Sequence, residues 1–469
     1  MPVEPAAEAE TLHVLFNRVA EDRDAARAAG ELAREAAARQ WSWSAVADQL
    51  AEILTATEAS ATTSTGISTP TRARTTIAPP VAGGATVPGD VPGVNVFADL
   101  RASTGLAEAA RRHAMALLDA DVDITFNEFN SRAHNRSVPS PRRLVELRRG
   151  KDHPIDLWLL NVNEFDLVPR HAIDRYAIAL WAWEFLDAPP YSHTELARID
   201  ELWVVSSFVA ETFRIATGKP ITVVPNVVDI DWNTPADRAR FGLRPDAFVV
   251  LFSFSASSSA ARKNPFGAIE AFRRAFGTGD RDQAQLVIKA VDLHLFPALR
   301  DELAAAVAGA GGVLIEADLP RPAMDSLLAS CDVYLSLHRA EGFGLGMAEA
   351  MALGKPVVAT GYSGNVDFMP PGAAATVGYR LRPITEQDHR LSPMFADHYR
   401  PGQLWAEPDI DQAARWLRRL AASEPLRRNL GARGAEVIQS MCSPKAVGQT
   451  MVRRLRRIVG GADPRKGTA

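Results

Sequence analysis

From residue 93 onward the chain alternates between short apolar runs and stretches rich in helix formers. Runs at 94–98, 122–126, 155–162, 178–183, 202–205 and 221–224 read as buried strands, with a helix over 108–118 after the first of them. The rhythm restarts after Pro225-Asn226, where 248–254, 284–290, 313–316, 333–337 and 357–359 are the next strands, again separated by helices. Two successive β/α series joined by a short linker predict an α/β protein. Its two doubly wound, Rossmann-like domains, residues 93–225 and 226–443, face each other. Ligands of such folds sit at the carboxyl ends of the strands, so the cleft between the domains is the expected site.

The N-terminal residues break this rhythm. Residues 1–56 are helical by pattern, and residues 57–92 are dominated by Thr, Ser, Ala, Pro and Gly with no aromatic side chain. Such a run cannot bury enough surface to fold and reads as a disordered linker. A shift of 401 positions aligns Arg27 with Arg428, Gly30 with Gly431, Glu35 with Glu436, Ser42 with Ser443, Ala45 with Ala446 and Val46 with Val447. The N-terminal helices therefore read either as a copy of the closing helices of a similar domain or as a chance match in Ala/Arg-rich sequence. No chemistry is expected there.

Composition acts mainly by exclusion. At 469 residues the chain is too long for one ordinary core. A hydrophobic share of 47 % with 23 % charged residues is that of a globular protein, and a net charge of −4 makes no electrostatic case for nucleic acid. Two cysteines, Cys331 and Cys442, offer neither a disulfide framework nor a cysteine-rich metal site. The N-terminus opens acidic and lacks the apolar core of a signal peptide, and no stretch reaches the ~18 apolar residues that span a bilayer. A cytoplasmic location is expected.

The chemistry concentrates in one segment, Ser336 to Ala352. Glu341 and Glu349 stand eight apart with Gly342-Phe343-Gly344 between them. Val333-Tyr334-Leu335 upstream is a buried strand, and residues 345–353 downstream favour helix. The first glutamate leaves a strand end, and the second lies about one turn into a helix. Glycines let a backbone approach a ligand closely, and helix-start N–H groups favour an anion. A carboxylate on each side of such a loop suits a ligand with both phosphate and vicinal hydroxyls, as in a sugar nucleotide.

This segment resembles the E-x7-E motif of retaining glycosyltransferases of the GT-B fold, in particular glycosyltransferase family 4 (glycosyl transferases group 1). Four further matches occur in the same order: Gly105-Leu106-Ala107-Glu108, Pro225-Asn226-Val227-Val228-Asp229, Arg262-Lys263-Asn264-Pro265 and Tyr362-Ser363-Gly364-Asn365. The resemblance covers residues 93–458 and leaves the N-terminal segment unexplained. It implies a GT-B pair of domains, with residues 444–460 crossing back as a helix to the first domain.

The resemblance also assigns roles. Arg262 and Lys263 are to hold the donor diphosphate and stabilise the leaving nucleotide, Lys263 most directly, with Ser258 on the loop before them. Close relatives often carry an aspartate where this chain has Ser255. Glu349 is to bind the ribose hydroxyls and Glu341 the donor sugar. The amides of Gly342, Phe343, Gly344 and Leu345 are to meet sugar or phosphate oxygens. Gly105 is to lie against the diphosphate from the first domain. At the end of the strand 178–183, where family members frequently have a histidine, this chain offers Trp183-Glu184. Glu184 reads either as an acid, base or sugar contact or as a structural glutamate. Asn163-Glu164 is a second polar pair on the same rim, and His338 and Arg339 are open between packing and ligand contact. No metal is implied, because the Asp-x-Asp pairs Asp121/Asp123 and Asp229/Asp231 fall at the start of an apolar run and in the linker instead of at a strand end, and the histidines form no His-x3-His pair on a helix.

The implied function is transfer of a hexosyl group, with retention, from a UDP- or GDP-linked sugar to a saccharide or lipid-linked acceptor in cell-surface polysaccharide or glycoconjugate synthesis. The nucleotide sugar is a co-substrate, and no other cofactor is required. Because many relatives glycosylate lipid carriers, the resemblance leaves room for peripheral contact with the inner membrane face. The competing readings are a nucleotide-sugar-binding scaffold without turnover and a GT-B sugar-nucleotide epimerase.

Overall fold

The structure, a computed structural model, describes residues 91–460 apart from 103, 132–137, 140, 148–151, 169–174, 278–282 and 391–398. The helical extension, its internal repeat and nearly all of the linker expected over 57–92 lie outside the described residues.

The first domain runs β1 (Val94–Ala98), α1 (Gly105–Asp119), β2 (Ile124–Glu128), a short α2 (Arg142–Val145), β3 (Ile155–Trp158), β4 (Tyr176–Trp181), α3 (Ser192–Leu196), β5 (Glu201–Val204), α4 (Ser207–Ala216) and β6 (Ile221–Val223). Its six strands form one parallel sheet in the order β2-β1-β3-β4-β5-β6. Parallel strands are covered on both faces, which is why they appear in the sequence as continuous apolar runs. Trp158, Phe165, Trp181 and Phe213 form a chain of edge-on and tilted rings with centroids 5.4–6.1 Å apart beneath the carboxyl ends of these strands.

Three strands differ from the sequence reading by two residues or more. The run 178–183 is strand over Tyr176–Trp181, so Trp183-Glu184 follows the strand end by a residue, and the other two have a visible cause. Val122 is not in β2, because its N–H closes α1 by donating to the Leu117 carbonyl (3.1 Å), and Asp121 takes a left-handed φ of 58° to make the turn. The run 155–162 is a strand only to Trp158. Asn161 leaves the ladder to accept from the Ala182 amide (2.9 Å), and a 3-10 turn over Val162–Leu167 follows.

The second domain runs β7 (Phe248–Ser255), α5 (Ala260–Lys263), α6 (Pro265–Phe276), β8 (Ala284–Val291), α7 (Pro297–Gly309), β9 (Val313–Ile315), α8 (Arg321–Ser330), β10 (Val333–Ser336), α9 (Leu345–Ala352), β11 (Val357–Thr360) and β12 (Ala375–Val377). These strands form a second parallel sheet, ordered β12-β11-β10-β7-β8-β9. An antiparallel ribbon of β13 (Tyr379–Pro383) and β14 (Leu404–Pro408) follows, with α10 (Glu386–Arg390) between its strands. Its strands are too far apart in the chain to carry a hairpin turn signal, and the sequence reading did not include it. Helices α11 (Ile410–Ala422) and α12 (Glu424–Cys442) close the domain.

The last helix, α13 (Pro444–Gly460), packs on the first domain. Val447, Met451 and Leu455, four apart and therefore on one face, are all fully buried. A Cβ on Gly448 would lie 2.7 Å from the Ala116 carbonyl oxygen and 3.2 Å from the Ala120 Cβ, so glycine sets how closely α13 approaches α1. Arg454 donates to both carboxylate oxygens of the fully buried Glu201 (2.7 and 2.6 Å), and Trp203, Thr222 and Tyr176 donate to the same carboxylate. Gly448→Val should therefore force the two helices apart and cost about 1–3 kcal/mol, the usual range for overpacking. Denaturant unfolding of the variant should show a lowered midpoint, and an unchanged midpoint would contradict this packing.

Candidate functional site

The segment around Glu341 and Glu349 is shaped by glycines and by the loop after β11. Gly344 has φ +95°, and a Cβ there would sit 2.2 Å from the Met347 terminal carbon, so the turn into α9 requires glycine. A Cβ on Gly364 would come within 1.9 Å of the Gly342 carbonyl oxygen. The Tyr362–Asn365 motif therefore lies directly on the Glu341 loop. The Glu341 amide donates to Ser363 Oγ (2.8 Å), and the Gly364 amide donates to the Glu341 carbonyl (2.9 Å). Asn365 spans from the Thr360 carbonyl (2.9 Å) to His338 Nε2 (3.0 Å).

Arg262 and Lys263 end α5, and Asn264 turns the chain into α6. Asn264 takes the left-handed conformation that asparagine tolerates, caps α6 by accepting from the Gly267 amide (3.2 Å), and donates to the Leu337 carbonyl (2.8 Å) at the end of β10. Pro265 then occupies the first helical turn, where its missing N–H costs nothing. The Arg-Lys-Asn-Pro stretch thus fixes both cations beside the Glu341 loop.

Glu341, 7 % exposed, lies between them: Lys263 Nζ bonds one carboxylate oxygen, and Arg262 stands 3.2 Å from the other. Burial alone would raise the Glu341 pKa, but Lys263 and Arg262 outweigh it and hold the group at about 2. Arg262 is only 2 % exposed, and its guanidinium is taken up by protein. It donates to the Ala340 carbonyl (2.8 Å), the Ser258 carbonyl (3.0 Å) and hydroxyl (2.8 Å), and the Tyr399 hydroxyl (3.1 Å). Glu184, from the first domain, is 3.4 Å away. Burial would depress the Arg262 pKa, yet Tyr399, Glu184 and Glu341 together push it up. The Lys263 side chain keeps 19 % exposure, and burial lowers its pKa against the pull of Glu341.

Glu349 is buried rather than solvent-facing. Its Oε1 accepts from Arg112 of α1 (2.8 Å) and from Arg321 at the start of α8 (2.6 Å). Arg112 also donates to Glu108 (2.8 Å) and to the Val227 carbonyl (3.3 Å). Further contacts join the domains across the cleft. Ser206 Oγ donates to the Gly342 carbonyl (2.7 Å), and Ser207, through its amide (2.6 Å) and its hydroxyl, binds Asp367. A Cβ on Gly342 would meet the Trp183 carbonyl at 3.1 Å.

Glu184, Ser258, Arg262, Lys263, Glu341 and Gly342 are thus gathered at one point of the cleft, and Glu349 lies one turn into α9, which leaves the same loop. Ser258 is an anchor for Arg262. The Phe343 side chain belongs to the core, against Phe368 at 4.9 Å, so only its backbone lines the loop. Gly105 opens α1 after a Thr104 cap, and a Cβ there would meet nothing within 4 Å. Ser255 donates to Asp292 (2.8 Å), so a carboxylate from the end of β8 stands beside the position where relatives often carry an aspartate. His338 and Arg339 are both engaged by protein groups. His338 is fully buried against Ser336, Tyr362 and Asn365, and Arg339 pairs with Glu407 and lies over Trp405. The Trp183 ring is buried and donates to the Asp187 carbonyl (2.8 Å). Asn163-Glu164 lies in the 3-10 turn after β3.

Sequence reasoning missed Arg112, Arg321 and Tyr399. Each is an ordinary residue in its local pattern, and only the fold brings it to the motif. Among the described residues no group of three or more His, Cys, Asp or Glu is placed to hold a metal ion, and no helix is long and apolar enough to cross a membrane.

Residues 234–379, which include Arg262, Lys263, Glu341 and Glu349, match the family model for glycosyl transferases group 1. A comparison with curated protein sequences yields no match. Among solved structures, a sucrose-phosphate synthase from Thermosynechococcus elongatus is similar at 15 % identity and a TM-score of 0.56, covering 79 % of this chain and 100 % of its own. HepE of Anabaena, solved with UDP and glucose, is similar at 16 % identity and a TM-score of 0.55, covering 78 % and 99 %. An α,α-trehalose 6-phosphate synthase from Burkholderia multivorans gives 12 %, 0.52, 79 % and 99 %. The two facing parallel-sheet domains are the GT-B fold, and the family match within it supports a glycosyl transfer role.

The buried ionisable groups make stability pH-dependent with a defined sign. Burial holds His338 and His113 below the ordinary 6.5, so below that pH the unfolded chain binds protons that the folded chain refuses. Thermal midpoints should therefore fall as the pH drops from 6.5. Glu341 contributes stability above 4.5 that is lost as the pH approaches 2. His338→Gln should flatten the first of these slopes, and an identical slope in the variant would exclude His338 as its source.

Proposed function

We propose that this chain is a retaining glycosyltransferase of family 4. It moves a hexosyl group from a UDP- or GDP-linked sugar to a saccharide or lipid-linked acceptor in polysaccharide or glycoconjugate synthesis, without a metal ion. The observation that carries this reading is the Lys263–Glu341–Arg262 cluster, set at the carboxyl ends of the second sheet and facing Glu184 of the first domain.

Lys263 is the cation suited to the leaving diphosphate, since its tip is the more exposed of the two. A diphosphate competes with Glu341 for that ammonium and frees a Glu341 oxygen for a donor-sugar hydroxyl. Arg262 stays where the Ala340, Ser258 and Tyr399 acceptors hold it and keeps Glu341 ionised as Lys263 moves. Helix α9 starts at Leu345 with no side-chain cap, so its first amides are available to phosphate oxygens. Glu349, its Oε1 held by Arg112 and Arg321, is oriented for the ribose hydroxyls. Glu184 faces the reacting carbon from the first domain as acid, base or sugar contact. Peripheral contact with the inner membrane face is compatible with a lipid-linked acceptor.

Lys263→Ala should lower kcat by about 10²–10³ while leaving nucleotide binding nearly intact, because charge on the leaving phosphate grows as the bond breaks. A panel of nucleotide sugars, followed by NMR of the product anomer, measures both turnover and stereochemistry. Epimer formation, or binding without transfer or donor hydrolysis, would favour the epimerase or scaffold instead. Activity should persist in excess chelator, and loss of activity restored by Mg²⁺ or Mn²⁺ would refute the metal-free mechanism.

A further inference from the structure

Lys289 is on β8, and only 9 % of its surface is exposed. Its ammonium makes no hydrogen bond or ion pair with any described residue, and Asp318 and Asp292 act on it only at longer range. Burial holds its pKa below the ordinary amine value, against the pull of those two carboxylates. The Nζ is not among the fully buried polar atoms that lack a partner, so the stem of the side chain is enclosed while the ammonium still reaches solvent.

Its position gives the ammonium a use. Strand register sets Lys289 beside Ser253 of β7 and Ile315 of β9, all on one sheet face. Ser253 Oγ is hydrogen-bonded to the Tyr334 hydroxyl (2.9 Å), which would lie 2.6 Å from a Cβ on Gly346 in the first turn of α9. Lys289 therefore projects from the face that α9 and Glu349 cover, about 10 Å from β10 at the usual strand spacing. After β9, the loop 316–320 carries Asp318 and leads into Arg321, which holds Glu349.

Resting on the nucleotide-sugar reading above, the diphosphate lies at the ends of β7 and β10, by Lys263 and the start of α9, and the ribose at Glu349. The base then continues toward the β8–β9 edge. We propose that Lys289 reads the nucleobase: its ammonium donates to a ring carbonyl oxygen and selects a keto base, uracil or guanine, over adenine. The ammonium has donors only, and adenine presents an amino group where uracil and guanine present a carbonyl. A site built around such a bond discriminates strongly, because the wrong base leaves its buried donor unpaired.

The test is calorimetric binding of UDP, GDP and ADP to the full chain and to Lys289→Met, with thermal unfolding of both proteins without nucleotide. The expected result is that the wild type prefers UDP or GDP to ADP. Lys289→Met should bind the preferred nucleotide about ten- to a hundredfold more weakly and lose the preference. Its ligand-free melting temperature should not fall, since an unpaired ammonium has been removed. Lys289→Gln, whose amide both donates and accepts, should keep intermediate affinity and admit ADP. Unchanged affinity and preference in Lys289→Met would overturn the proposal, as would affinity lost only in step with ligand-free stability. If the wild type binds none of the three nucleotides, the glycosyl-transfer reading fails first; binding without base preference sinks the Lys289 assignment alone.

Discussion

The site depends on a carboxylate kept almost out of water between two cations. Removing a charge from water costs several kcal/mol per ion, so Glu341 is tolerable only because Lys263 and Arg262 are held against it and its backbone is bonded on both sides. The surrounding local structure serves that requirement. Asn264 stops one helix and starts the next so that the cations arrive together, and Ser258, Tyr399 and the Ala340 carbonyl saturate Arg262. Gly364 lets the following loop lie against Gly342.

The cleft is bounded by contacts of two kinds. Some involve side chains of the cluster itself, Glu184 with Arg262 and Arg112 with Glu349, so a ligand entering between the domains acts on the same pairs that join them. Others lie nearer the chain crossings. Val228, just after the first crossing, donates its amide to the Cys442 carbonyl at the second (2.7 Å), and Arg112 reaches the Val227 carbonyl. The two crossings are therefore bonded to each other, and α13 is locked to the first domain by the Arg454–Glu201 pair.

Much of this was legible in the sequence because strands buried on both faces leave unbroken apolar runs, and glycines that admit close backbone approach leave a fixed spacing. The two β/α series, the turn at Gly342-Phe343-Gly344 and the pairing of Arg262-Lys263 with Asn264-Pro265 follow from local pattern and local chemistry. Strand ends were less legible. Val122 and Asn161 read as strand by composition, but each makes a bond outside the ladder, one to the end of α1 and one to the Ala182 amide.

Only the tertiary structure decided which charges meet. Arg112 lies 237 positions from Glu349, and Tyr399 lies 137 from Arg262. Nothing in the period of a helix or the alternation of a strand encodes such a distance. The same holds for Lys289, one of two polar residues in the otherwise apolar strand β8, whose lack of a partner becomes visible only when its neighbours across the sheet are known. Sequence by itself determined the two domains, the loop and the identity of the groups at its ends, since those rest on interactions within a few residues. Their electrostatic state, and which of them remain available to a ligand, depended on long-range packing.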